Sequence, residues 1–124
     1  MNKVLILILG SSVGGLSRYF LAGWVYRLFG ADFPYGTLIV NLIGCFLIGF
    51  LSTISEEKFL LGPNGRLLLM VGFCGAFTTF STFMLETGNL LKDTEMVRAF
   101  INVFASFIVG FLVFRLGILA GRLV

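Results

Sequence analysis

Apolar residues fill four long runs, and short polar clusters separate them. The runs cover residues 4–29, 35–54, 66–91 and 97–123. Gly30-Ala31-Asp32-Phe33-Pro34 reads as the first turn, and Ser55-Glu56-Glu57-Lys58 opens a polar loop that ends near Gly62-Pro63-Asn64-Gly65. Lys92-Asp93-Thr94-Glu95 is the third connection. A hydrocarbon core about 30 Å thick takes about 20 helical residues at about 1.5 Å each. Each run reaches that length, so the pattern predicts an all-α membrane protein with four transmembrane helices in one domain over residues 1–124. Lys3 followed by Val4 to Leu9 imitates a signal peptide. It lacks a small-residue cleavage site, and the apolar character continues from Phe20 to Phe29, so the run reads as a retained first helix.

Composition agrees. Of 124 residues, 58% are hydrophobic and 12% charged, with a mean hydropathy of +1.04. A soluble domain carries about 25% charged residues. The net charge is +3, but the basic residues are scattered, which points to anchors at the membrane edge and not to a nucleic-acid partner. Cys45 and Cys74 lie deep in apolar runs without redox or metal-ligand spacing, and read as small packing residues. There is no histidine, and no nucleotide-binding or hydrolase motif stands out. The chain does not read as an enzyme.

The third run departs from a plain lipid-spanning helix. Gly72-Phe73-Cys74-Gly75-Ala76-Phe77-Thr78-Thr79-Phe80-Ser81-Thr82-Phe83 holds two glycines, three threonines, a serine and four phenylalanines where the membrane midplane should fall. Glycine weakens a helix, and Ser and Thr bond back to the backbone and bend it. Irregular backbone at that depth is tolerated only when buried in protein or lining a cavity. Interrupted membrane helices are a known way to build ion sites. The stretch is the expected functional centre.

Other polar residues gather around it. Arg18 falls well inside the first run and must snorkel, pair with an acid or face water. Trp24 and Tyr26, followed by Arg27, read as interfacial anchors. Asn41, Cys45 and Gly49 share one helical face, as do Asn102, Ser106 and Gly110. Asn41 either bonds a neighbouring helix or lines an ion path with its amide. Glu86 is either an intramembrane acid or the first residue of an aqueous mouth. Gly10 and Gly14, and Gly117 and Gly121, have the spacing that lets helices approach closely. Four short helices leave little room for a polar path within one chain, so the small and polar faces are expected to meet a second copy. Lys3, Lys58, Arg66, Arg115 and Arg122 fall on the side of the termini, against Arg27, Lys92 and Arg98 opposite, with Arg18 ambiguous. So small a bias allows insertion both ways up, and an antiparallel dimer follows as a hypothesis.

Phe80 and Phe83 share a face on a continuous helix. Such residues are commonly packing or lipid-facing. The other reading uses the positive ring edge, which can approach a small anion in a dry site. An anion stripped of water also needs hydrogen-bond donors, and Ser81, Thr82, Asn41, Asn102 and Ser106 could supply them. Neutral donors bind and release a small anion, where a ring of Lys or Arg would hold it too tightly.

Gly14-Gly15-x-x-Arg18-Tyr19, Gly36-Thr37-x-x-x-Asn41-x-x-Gly44 and the stretch from Gly72 to Phe83 with the following Glu86 together resemble the Fluc/CrcB fluoride channels. The resemblance covers essentially the whole chain. It implies a fluoride-selective channel, in a bacterial-type inner membrane, that lets fluoride leave the cytoplasm through two pores of an antiparallel, dual-topology homodimer. It implies a third helix broken mid-membrane, with the backbone carbonyls of Gly75 and Thr78 presented to a structural sodium ion on the dimer twofold axis. Phe80 and Phe83 would be pore phenylalanines and Asn41 a pore donor. Ser81 and Thr82 would place hydroxyls near the pore, Thr37 and Glu86 would sit along or near the path, and Arg18 would face a vestibule. In that family the fourth helix often contributes a tyrosine and serines to a polar track. Here Asn102 and Ser106 keep a donor, and Gly110 does not.

Two other readings compete. A proton-coupled exporter of hydrophobic cations would need an acid in mid-helix, and Glu86, toward the end of its run, is the one candidate. A non-transporting subunit held by glycine contacts would leave the Thr- and Phe-rich stretch without a role.

Overall fold

The structure, a computed structural model, describes residues 2–124. Four helices are long and apolar enough to cross a membrane: Lys3–Phe29, Tyr35–Glu56, Pro63–Lys92 and Met96–Leu123. The chain is a multi-pass, all-helical membrane protein.

The ends of the helices follow from local chemistry. Asn2 caps the first helix, its side chain accepting the Val4 N–H at 2.8 Å. That helix stops at Gly30, whose φ of +85° favours glycine and whose N–H returns to the Tyr26 carbonyl at 2.9 Å. The second helix continues to Glu56, beyond the expected 54, because Glu57 N–H still finds the Thr53 carbonyl at 2.9 Å. The third begins at Pro63 and not at Arg66. Proline fits a first helical turn, where its missing N–H has no partner to lose.

The third and fourth spans are not uniform. Residues Leu67–Cys74 and Ala105–Val109 are wound as π-helix, a form that recurs at functional sites. After Gly75–Phe77 the backbone leaves helical geometry. Thr78 (φ −94°, ψ 158°) and Thr79 (φ −151°, ψ 116°) are extended, and helix resumes over Phe80–Lys92.

Glycines set the packing. The first helix lies along Leu67–Cys74. A Cβ at Gly10 would strike the Leu68 carbonyl oxygen, and one at Gly14 the Phe73 carbonyl oxygen. The second helix runs against Gly110–Leu123 in the same manner, Gly49 on the Phe114 carbonyl and Gly117 on the Phe46 carbonyl. The small-residue faces expected to meet a second copy are therefore used, in large part, inside one chain. Backbones that close gain dispersion contacts, which is what holds membrane helices together once lipid has removed the hydrophobic drive.

Arg122 donates to the Glu57 carboxylate at 3.0 Å. This ties the end of the fourth span to the end of the second, beside the loop that follows it. The same hydrogen bond holds the Glu57 carboxyl below its ordinary range. Outward faces carry Leu5, Leu9, Leu16 and Phe20 on the first helix, and Phe100, Phe104 and Ile108 on the fourth span, all more than half exposed. In water such surfaces would aggregate; in lipid they are the solvated face.

Candidate functional site

The site is built on the two extended residues between Phe77 and Phe80. Extended backbone cannot make helical hydrogen bonds, so each freed group must find another partner. Asn41 supplies one pair. Its Oδ1 accepts the Thr79 N–H at 2.8 Å, and its Nδ2 donates to the Thr79 carbonyl at 3.0 Å. One side-chain amide thus pairs with both polar groups of a single residue, as a neighbouring strand would. Thr79 in turn caps the following helix, its Oγ1 accepting the Thr82 N–H at 3.3 Å and donating to Thr82 Oγ1 at 3.0 Å. Thr78 closes the preceding turn, both its N–H (3.1 Å) and its hydroxyl (2.9 Å) reaching the Cys74 carbonyl.

This bonding frees particular carbonyls. In a continuous helix the Thr79 N–H would go to Gly75, and the Thr82 N–H to Thr78. Both donors are diverted, to Asn41 and to Thr79 Oγ1. Among the described residues, the Gly75 and Thr78 carbonyls are left without a hydrogen-bond donor. Gly75 is exposed, and an added Cβ there would meet nothing within 4 Å. The Ala76 carbonyl has a different fate, accepting from Arg18 Nε at 3.0 Å. The Arg18 cation thus sits where the first half-helix ends, against its negative pole. Its Nε serves that helix end.

A groove of about 610 Å³ opens beside the extended residues. Asn41, Thr78, Phe80, Phe83 and Ser106 line it. Phe83 is 4% exposed and Phe80 66%. Their rings lie 5.8 Å apart at 54°, and Phe107 meets Phe83 edge-on at 6.2 Å and 72°. Ser106 Oγ is buried and finds no hydrogen-bond partner among the described residues. An unpaired buried hydroxyl is costly, and Ser106 falls within the π-wound turn at the groove wall.

The remaining expected residues separate. Asn102 is 2% exposed and donates through Nδ2 to Thr87 Oγ1 at 3.0 Å, so it braces the third span behind the groove. Ser81 is exposed, and Thr82 is half-buried against Thr79. Thr37 and Glu86 form a second polar cluster. Thr37 Oγ1 donates to Glu86 Oε1 at 2.6 Å, and Tyr26 OH donates to Oε2 at 3.3 Å. Tyr26 reads from sequence as a membrane-edge anchor; here it turns inward. Gly36 makes that possible, because a Cβ there would collide with the Tyr26 ring. A glycine facing an aromatic one turn from a helix end was the available signal.

Charge at this site is carried by few groups. Among the described residues no three His, Cys, Asp or Glu side chains gather to hold a metal ion. What the arrangement offers a cation is backbone oxygen, and what it offers an anion is neutral donors, ring edges and the first turn of the helix that starts at Phe80.

Residues 5–118 match the family described as CrcB-like protein, Camphor Resistance. Among curated relatives, one from Desulforapulum autotrophicum is 42% identical over 99% of this chain and 98% of its own length. One from Solidesulfovibrio magneticus is 42% identical over 100% and 99%. One from Trichlorobacter lovleyi is 50% identical over 88% and 87%. All three carry the name fluoride-specific ion channel FluC.

Proposed function

The chain belongs to the CrcB-like family, and on that premise we propose that it is a fluoride-selective channel that passes the anion by electrodiffusion. Its relatives bear a channel's name, and the chain is not an enzyme. The observation that carries the reading is the groove: two phenylalanines and an unpaired buried hydroxyl beside an interrupted helix, with no charged side chain lining it. Fluoride is small and strongly hydrated, so it needs replacement donors. Ring edges and the Ser106 hydroxyl, with the second Nδ2 hydrogen of Asn41, meet that need. The positive end of the helix starting at Phe80 adds a favourable potential.

One chain leaves the groove open to lipid, with Phe80 largely exposed. A second copy would close it. In our reading the functional unit is a homodimer of inverted subunits with two pores, inserted in a bacterial inner membrane with dual topology. The weak asymmetry of Lys and Arg supports this. The third helix is then broken at mid-depth, with Thr78 and Thr79 as the break.

The freed carbonyls of Gly75 and Thr78 fit a sodium ion, since hard cations take oxygen ligands and unwound carbonyls supply them in membrane proteins. Contributed by two subunits, they would hold the ion on the twofold axis. Bound there, it would supply positive charge. The residues of this chain prepare that position: Asn41 diverts the Thr79 N–H, Thr79 diverts the Thr82 N–H, and Arg18 occupies the intervening Ala76 carbonyl.

The benefit to a cell follows from acid–base chemistry. Hydrogen fluoride is neutral, crosses the bilayer, and ionises where the pH is higher. The trapped anion then leaves down the membrane potential, inside negative, through a selective pore.

Phe80→Ile and Phe83→Ile test the assignment. Each keeps an apolar side chain and removes the ring edge. The expected result is fluoride efflux lowered by at least about tenfold, equivalent to about 1.4 kcal/mol of lost stabilisation, with an unchanged dimer by size-exclusion chromatography. Wild-type flux in both variants would remove the rings from the path.

A further inference from the structure

At the opposite end of the third span, away from the fluoride groove, lies a second cleft of about 620 Å³. It falls within the size range of small-molecule sites. The end of the second helix gives it Ser55 and Glu56, and the start of the third span gives it Arg66 and Leu67. These are the ends of spanning helices, so the cleft sits at headgroup depth.

Three features mark the cleft. Arg66 Nη2 and Glu56 Oε1 stand 3.9 Å apart, at the limit of an ion pair, with side chains 50% and 60% exposed. Such a pair contributes little and opens readily. Ser55 is buried in the wall of the cleft, and its hydroxyl finds no partner among the described residues. Phe59, at the rim, is held at φ +56°, a conformation rare for an aromatic residue, and stands 85% exposed beside Leu60 at 61%. An apolar loop tip of this kind is stable against acyl chains and not against water. Below it Leu67 and Val71, one turn apart, continue the wall down into the bilayer.

We propose that this cleft binds one phospholipid whose headgroup carries both a phosphate and a primary ammonium, as in phosphatidylethanolamine. The phosphate takes the Arg66 guanidinium, for which a planar fork of donors is suited. The ammonium donates to Glu56. The two charges of the headgroup thus replace a loose protein pair with two shorter contacts, and Leu67 and Val71 receive an acyl chain. A lone anion would leave Glu56 facing it, and a quaternary ammonium has no N–H to give.

Native mass spectrometry of the detergent-solubilised full-length protein tests this, with equimolar phosphatidylethanolamine, phosphatidylcholine and phosphatidylglycerol added. The wild type is expected to retain one phosphatidylethanolamine per chain over the other two by up to about fivefold. Glu56→Gln should erase the preference over phosphatidylcholine while keeping total lipid retention. Arg66→Gln should lower retention of all three, and Arg66→Lys should restore part of it. The same spectra report whether each variant keeps the wild-type assembly. Equal retention of phosphatidylethanolamine and phosphatidylcholine by the wild type would overturn the proposal. So would a stronger hold on phosphatidylglycerol, which would make Arg66 a simple anion contact, or an unchanged preference in Glu56→Gln. Fluoride flux is a separate readout, so failure here leaves the channel assignment standing.

Discussion

Replacing Asn41 with alanine removes two hydrogen bonds at once and leaves the Thr79 N–H and carbonyl without partners. Hydrogen bonds between membrane helices average about 0.6 kcal/mol and reach about 1.7 kcal/mol. Two of them, both within 3.0 Å and on a half-buried residue, give a loss of about 1 to 3 kcal/mol. The lower figure applies if water reaches Thr79, and the upper if the groove stays dry. Function should suffer more than stability. With Asn41 gone, the Thr79 N–H is free to return to Gly75, and the break can relax toward helix. Thermal unfolding in detergent measures the first effect, and fluoride efflux from liposomes the second. Asn41→Asp separates them further, since it keeps the acceptor for the Thr79 N–H, loses the donor, and adds negative charge beside an anion path. The expected order of flux is wild type above alanine above aspartate. An Asn41→Ala protein with wild-type melting temperature and wild-type flux would refute the clamp.

Gly14→Leu would drive a side chain into the Phe73 carbonyl, so it should cost upwards of about 2 kcal/mol and show as lost monodisperse protein, while neighbouring Gly15→Ala, with nothing within 4 Å of its Cβ, should behave as wild type or better in the same chromatogram. Arg18→Gln should lower both melting temperature and flux by uncovering the Ala76 carbonyl, and Arg18→Lys should recover part of each, since a cation near a helix C-terminus contributes about 0.3 to 1 kcal/mol. Glu57 is held low by Arg122, so its contribution is present above the ordinary carboxylate range of about 4.3 and lost as pH falls below it. A melting-temperature profile should therefore slope downward below about pH 4, with a shallower slope in Glu57→Gln.

The four spans were legible because runs of apolar residues longer than a bilayer is thick have few other uses. Composition puts Pro63 and Glu56 in loops because it marks polarity, whereas the polar ends of membrane helices are still helical. The Thr78–Thr79 region was legible from its surplus of Gly, Thr and Phe. Which atoms it would release was not, since that depends on where the Asn41 amide points across a helix interface. The same limit applies to Asn102. Its spacing from Ser106 places both on one face, yet Asn102 turns to Thr87 while Ser106 stays at the groove, where the chain is π-wound over residues 105–109. The GxxxG spacing marks close-packing sites, as found at Gly10, Gly14, Gly117 and Gly121, but spacing alone does not say whether the approaching helix belongs to the same chain. Arg18 illustrates the reverse case. A cation inside an apolar run demands a partner, and sequence offered acids and water, whereas the structure supplies a carbonyl at a helix end.

Fluoride efflux from liposomes containing the purified protein, followed with a fluoride electrode after a potassium ionophore sets the potential, tests directly whether the chain conducts fluoride. Chloride is followed in parallel. A fluoride channel should give fast fluoride loss that depends on the ionophore, with chloride retained. Folded protein that passes no fluoride, or passes chloride as readily, would contradict it.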